Sequence, residues 1–257
     1  MIWKAIGQSE AGTSHIAYGK SCEDNIAYTI VPDAVGEEVL VCCASDGAGS
    51  AKFGGRASEY TTQTFFHRLT EFAKSGNEIS EADIYTIAED VYEALQHEAE
   101  DRSVELNEFS CTLLGMYITK TKACFFQIGD GAIVRNDGSG FYVPVWWPFN
   151  GEYQNTTSFL IDDPTLPNLN IQIIEGGVDE VALFTDGLQM LILNTEEQNV
   201  HQPFFEPFFR YLRLTTQPDQ ENILKIKLSE YLNSAVINTR TDDDKTLFLA
   251  SRASSVV

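Results

Sequence analysis

Three apolar runs in this chain end the same way, in an aspartate followed by glycine: Asp46-Gly47 closes the run at 39–44, Asp130-Gly131 the run at 124–128, and Asp186-Gly187 the run at 181–184. One Asp-Gly pair after a strand is an ordinary turn signal. Asp24 in Cys22-Glu23-Asp24-Asn25 and Asp242-Asp243-Asp244, just before the run 246–250, extend the pattern to five acidic positions at strand edges along the whole chain. Such a sequence calls for a sheet-rich fold whose strand ends carry carboxylates.

The runs 39–44, 113–118, 124–128, 181–184 and 247–250 are short, rich in β-branched or aromatic residues and do not alternate cleanly. They are expected to be strands covered on at least one face. Phe65, Leu69 and Phe72 recur at helical spacing, as do Ile84, Ile87, Ala88, Val91 and Leu95, with Ser80 and Asp83 as a capping box. Leu224, Leu228, Tyr231, Leu232 and Ala235 mark a further helix. Two long consecutive helices followed by several strands suit an α+β layer architecture better than strict βαβ alternation. No linker, repeat or low-complexity tract interrupts the 257 residues, so one domain is expected over 1–257. Residues 136–176 stand apart. A hairpin turn at Asn136-Asp137-Gly138 is followed by Pro144, Trp146, Trp147, Pro148, Pro164 and Pro167 without periodicity, which reads as an irregular surface insertion.

A formal net charge of -21 argues against nucleic acid, whose binding rests on cationic side chains. It leaves divalent cations, basic partners or simple solubility. No apolar run reaches the length of a membrane helix and the first residues form no signal peptide, so a soluble, cytoplasmic protein without membrane contact is expected. Five cysteines, an odd number without zinc-type spacing, read as core residues. His67, His97 and His201 have no ligand-spaced partner and read as structural. Only His15 lies near an acidic motif.

Neighbouring strands bring their ends together, so carboxylates far apart in sequence can converge. Crowded carboxylates raise one another's pKa, and coordination of a cation relieves them. Oxygen ligands without His or Cys select magnesium, manganese or calcium over zinc or copper. Glycine after each aspartate leaves room for close approach, and Gly47 can offer its carbonyl. Two ions about 3.5–4 Å apart would clamp a phosphate and activate a bridging hydroxide for in-line attack at phosphorus.

The motifs, in order, are Gly12-Thr13-Ser14-His15 through Glu23-Asp24-Asn25; Ser45-Asp46-Gly47-Ala48-Gly49 leading to Ala57-Ser58; Ser110-Cys111-Thr112-Leu113; Ile128-Gly129-Asp130-Gly131; Phe184-Thr185-Asp186-Gly187-Leu188; and Asp243-Asp244-Lys245-Thr246. This series resembles the type 2C, metal-dependent serine/threonine protein phosphatases, in their bacterial-like branch, over nearly the entire chain. The resemblance implies a four-layer α-β-β-α sandwich, two antiparallel sheets flanked by helices, with residues 144–176 as the flap beside the site. It implies two ions, Mn2+ or Mg2+: Asp46 bridging both, the Gly47 carbonyl and Asp24 on the first, Asp186 and Asp243 on the other. Asp130 with Asp186 would resemble the ligands of a looser third. The catalytic pair would be Asp46 and Asp186. The substrate would be phosphoserine or phosphothreonine in proteins, with a cognate serine/threonine kinase as functional counterpart and a monomer as the working form.

Departures from the family pattern bear on the substrate side. Gly19 stands where many members place an arginine, which leaves Lys20 as a phosphate-binding candidate, with His15, earlier in the same motif, as a contact either to phosphate or to a residue that holds the metal; lysine lacks the bidentate fork of arginine. Ala48 replaces a histidine proposed as general acid in some relatives. Cys111 and Gly131 stand where glycine and serine are common, and Asp244, where asparagine is frequent, adds a negative charge. Two alternatives remain open on sequence alone: a catalytically silent phosphoprotein-binding module, and a small-molecule phosphohydrolase using the same metal chemistry.

Overall fold

The computed structural model describes residues 2–148 and 157–252. In chain order the elements are β1 (Lys4–Glu10), α1 (Thr13–Ala17), β2 (Asp24–Pro32), β3 (Glu38–Asp46), α2 (Gly54–Ser75), α3 (Glu81–Arg102), β4 (Leu113–Ile118), β5 (Lys122–Ile128), β6 (Ala132–Asn136), β7 (Tyr142–Pro144), β8 (Asn170–Glu175), β9 (Glu180–Phe184), α4 (Gln189–Ile192), β10 (Leu193–Asn194), β11 (Asn199–Val200), α5 (Gln202–Leu214), α6 (Pro218–Leu232), α7 (Ala235–Asn238) and β12 (Lys245–Ser251). The fold class is the expected one, α+β with two antiparallel sheets flanked by helices. Contacts divide the chain into two compact units, Glu23–Gly131 with Pro148–Gly177, and Met1–Cys22 with Ala132–Trp147 and Val178–Val257.

The first, the α2/α3 unit, holds the sheet β2-β3-β4-β5-β8. In α2 the positions Ala57, Thr61, Phe65, Leu69 and Ala73 step by four and are all buried, giving one continuous stripe. The stripe packs with Val39, Val41 and Cys43 of β3 and with Ile84, Val91 and Leu95 of α3. The Ser80 capping box forms as expected: Ser80 Oγ accepts from the Asp83 N–H, and Asp83 Oδ2 accepts from the Ser80 N–H. The alternate residues Leu40, Cys42, Ala44, Leu114, Met116 and Phe125 are equally buried. Strands buried on both faces read as unbroken apolar runs, which is why the sequence showed no alternation.

The second, the α5/α6 unit, holds the sheet β1-β12-β9-β6-β7. Its core joins Ile6, Phe184, Leu247 and Leu249 to Phe205, Phe209 and Leu212 of α5 and to Leu228 and Leu232 of α6. Tyr142 stacks on Phe209 with centroids 4.8 Å apart. Beside it lies a buried polar network in which Glu180 accepts from Arg213, Tyr142 and Ser251.

One expectation needs correction. The stretch 136–176 is not simply a surface insertion: it contributes β7 and β8, and Leu160, Ile161, Leu166 and Leu169 are buried in the core of the α2/α3 unit. Strand β8 carries Ile171 and Ile173 in alternation, a signal masked by Pro164 and Pro167 just before it. Residues 149–156 of the expected flap lie outside the described residues. The hairpin at Asn136-Asp137-Gly138 forms, with Asp137 Oδ1 accepting from the N–H groups of Ser139 and Phe141, and Trp147 packs on the core of the α5/α6 unit. No helix among the described residues is long and apolar enough to cross a membrane. Cys42, Cys43, Cys111 and Cys124 are buried, and burial pushes the Cys124 thiol up to about 12, as suits core packing rather than ligation.

Candidate functional site

In the α2/α3 unit, β2 opens at Asp24 and β3 closes at Asp46, and the antiparallel register sets the two residues directly opposite each other. Asp24 is buried and Asp46 half-buried. The backbone of Asp46 is held on both sides by Thr112: its N–H donates to Thr112 Oγ1 at 2.9 Å and its carbonyl accepts from the Thr112 N–H at 2.8 Å. Gly47 is dictated by space. A Cβ there would lie 2.2 Å from Gly54 C and 2.4 Å from Gly54 O, at the start of α2. Asp130 follows β5 in a turn pinned by the Gln127 amide, which donates to the carbonyls of Gly129 and Gly131 at 3.1 and 2.6 Å. The Thr157 hydroxyl donates to Asp130 Oδ2.

In the α5/α6 unit, Asp186 opens a single 3-10 turn after β9. Gly187 next to it touches the loop before β12, where a Cβ would stand 2.0 Å from Asp244 O and 3.5 Å from Asp243 Cβ. The structure thus brings Asp186 and Asp243 into one neighbourhood. Asp243 Oδ1 accepts from the Asp244 N–H at 2.9 Å. Asp243 is exposed at the loop surface, yet partial desolvation raises its pKa, as do the charges of Asp244 and Asp242, against the pull of the Asp244 N–H bond and of His15. Lys245 is fully buried, and its Nζ bonds to Asn238 Oδ1 at 3.1 Å and to the carbonyls of Ala11 and Asp243 at 3.3 and 3.4 Å. Burial lowers its pKa, opposed chiefly by the charge of Asp244.

The expected site residues therefore fall into two sets. Asp24, Asp46, Gly47 and Asp130 belong to the first unit, and Asp186, Asp243, His15 and Lys20 to the second. Among the described residues no three His, Cys, Asp or Glu side chains are gathered closely enough to cage a metal. The donors fit a hard divalent cation all the same: every expected ligand offers oxygen, which suits magnesium or manganese. Directly opposed carboxylates such as Asp24 and Asp46 also favour a neutralising charge. The close packing at Gly47 and Gly187 gives these glycines a plainer cause than room for an ion. Lys20 is exposed, whereas the His15 ring is mostly covered and its Nδ1 lies 2.9 Å from Asp244 Oδ2. Sequence reasoning missed this His15–Asp244 pair and the Thr157–Asp130 bond, for nothing local in the sequence marks contacts between such distant segments.

Antiparallel sheets flanked by helices, with aspartates at the strand ends, are the architecture expected of a metal-dependent phosphatase. A sequence profile described as protein phosphatase 2C matches residues 11–233, a range that ends before Asp243. Serine/threonine-protein phosphatase 3 of Escherichia coli (strain K12) is 34% identical over 252 residues, 97% of this chain and 98% of that protein. The chain belongs to the protein phosphatase 2C family of serine/threonine phosphatases. Solved structures share the fold. A bacterial serine phosphatase superposes with a TM-score of 0.63 at 17% identity, covering 100% of both chains. The catalytic domain of the serine threonine protein phosphatase PstP, in complex with two manganese ions, gives 0.60 at 14% identity, covering 97% of both.

Proposed function

We propose that this chain hydrolyses phosphoserine and phosphothreonine in proteins by the two-metal route, with Mn2+ or Mg2+ held by Asp24, Asp46, the Gly47 carbonyl, Asp186 and Asp243. The observation that carries the reading is the opposition of Asp24 and Asp46 across one ladder, at the first two acidic motifs of the family. When bound, such ions supply a nucleophile at neutral pH and offset the charge that builds up on phosphate. The chain's own part is to hold the carboxylates. Thr112 fixes the Asp46 backbone, and the Gly187 contact fixes the Asp186 turn against the loop of Asp243. Asp130, with Asp186, would serve a looser third ion. Lys20, exposed at the end of the α1 segment, attracts the phosphate as a point charge. Ala48 places no proton donor beside the leaving oxygen. We further read the protein as one catalytic domain, monomeric and cytoplasmic, acting against a serine/threonine kinase.

Release of phosphate from a phosphothreonine peptide, titrated with Mn2+ and with Mg2+, tests the reading. Metal-dependent turnover supports it, and none with either ion overturns it. Gly19 in the place of the arginine favours one alternative, a silent module that binds phosphoproteins. Asp186→Asn separates the two: loss of turnover supports catalysis, whereas peptide binding without turnover in both forms supports the module. Comparing the peptide with a nucleotide and a sugar phosphate separates a protein phosphatase from a small-molecule enzyme.

A further inference from the structure

The segment around α1 is stapled to the loop before β12 by side chains as well as backbone. Ser14 donates to Asp242 O from its N–H at 2.9 Å and from its hydroxyl at 2.7 Å. The two oxygens of Asp244 are taken separately: Oδ1 accepts from the Gly12 N–H at 2.6 Å, and Oδ2 lies 2.9 Å from His15 Nδ1. Gly12 has to be glycine, since a Cβ would meet Asp242 O and Asp243 C at 2.3 Å each. The Asp244 N–H in turn donates to Asp243 Oδ1 at 2.9 Å. Hydrogen bonds thus lead from His15 through Asp244 to Asp243. The side chains of His15 and Asp244 are 12% and 3% exposed, which suits a partner inside the fold better than a phosphate arriving from solvent.

We propose that His15 is a positioning residue for metal binding, orienting Asp244 so that the Asp244 N–H fixes the carboxylate of Asp243. The inference rests on the reading of Asp243 as a metal ligand. A carboxylate gripped at both oxygens cannot turn, and the peptide it anchors then holds one oxygen of Asp243 and so sets the direction of the other. Partners that orient metal ligands in this way typically govern 10–100-fold in metal affinity. The pair also accounts for Asp244: its negative charge lies against the His15 ring rather than facing substrate.

Three variants of the full chain test this. His15→Ala removes the ring, His15→Gln keeps bulk but moves the amide away from the Nδ1 position, and His15→Asn sets an amide N–H close to where Nδ1 stood. Mn2+ binding is read by calorimetry and by the Mn2+-induced rise in Tm, and the KM for a phosphothreonine peptide is measured at saturating Mn2+. His15→Ala and His15→Gln are expected to weaken Mn2+ binding roughly tenfold, with peptide KM unchanged, and His15→Asn to recover most of the loss. A raised KM with unaltered Mn2+ affinity overturns the proposal in favour of a phosphate contact. Equal impairment of all three variants, together with an equal drop in metal-free Tm, overturns it in favour of a structural role. Should His15→Ala fail to fold, wild-type Mn2+ affinity in His15→Gln overturns it. If the wild-type chain itself neither binds Mn2+ nor turns over, the functional reading fails first; if the wild type responds and His15→Gln responds identically, only this inference fails.

Discussion

Asp24 and Asp46 oppose each other across the β2–β3 ladder, one carboxylate buried and the other half-buried. Like charges at directly opposed positions destabilise a sheet by a fraction of a kcal/mol. Removing one charge should therefore help the metal-free fold while harming metal binding. Asp24→Asn is expected to raise the Tm in EDTA, by about 0.5 kcal/mol of stability, and to shrink the further rise produced by Mn2+. Thermal denaturation with and without Mn2+ checks both halves. A lower Tm in EDTA would count against the pairing as a source of strain.

Gly47 and Gly187 are fixed by backbone contacts 2.0–2.4 Å from the position of a Cβ. Neither contact is with a flexible side-chain end, so a methyl group must displace the start of α2 or the loop at Asp244. Gly47→Ala and Gly187→Ala are each expected to cost about 1–3 kcal/mol, the range for overpacking a tight site, with activity falling alongside. Urea denaturation measures the first, and a midpoint within error of wild type would refute the steric argument.

The strand-end aspartates, β4 at Leu113–Ile118 and the Ser80–Asp83 box were all legible, because a continuous apolar run or a cap is a local signal. Strands β1 and β2 were not, since Lys4–Glu10 and Asp24–Pro32 mix polar and apolar residues and owe their form to the partners β12 and β3. Helix α5 was hidden by Pro203 and Pro207, although Phe205, Phe209 and Leu212 have helical spacing; packing of those side chains outweighs the hydrogen bond that Pro207 cannot make. The site divides in the same way. Composition and spacing locate the carboxylates, but which of them face each other, and that His15 closes on Asp244, depends on register and on contacts between remote segments.

Helices α2 and α3 are tied together by Glu98, whose Oε1 accepts from Arg56 and, at 2.8 Å and 2.9 Å, from Arg102. Burial raises the Glu98 pKa, but the hydrogen bonds and charges of the two arginines more than undo it, and the net shift is downward. A carboxyl with a lowered folded pKa contributes stability that is present above its unfolded pKa and is lost as pH falls through the folded value. Glu98→Gln should thus cost stability at pH 7, about 0.5–1 kcal/mol given the exposure of Arg56, and the difference from wild type should close in acid. Paired Tm measurements from pH 7 down to pH 3 test this; a gap that widens in acid reverses the sign.

The Glu180–Arg213 pair is the better-protected counterpart, with side chains 6% and 31% exposed. Arg213 donates to both carboxylate oxygens, at 2.8 and 2.6 Å, while Tyr142 OH and Ser251 Oγ donate at 2.9 Å each. Bidentate geometry and satisfied oxygens make this a pair that is costly to break one-sidedly, because the partner left behind is a buried charge. Arg213→Ala is expected to cost about 3 kcal/mol or more, as for other buried pairs broken on one side. The double variant Glu180→Gln/Arg213→Met removes both charges and keeps side-chain volume, so it should be less destabilised than Arg213→Ala alone. Denaturant midpoints for the two variants decide the matter: if the double variant is the weaker fold, the pair is net stabilising in its own right, and the cost of Arg213→Ala is not that of stranding Glu180.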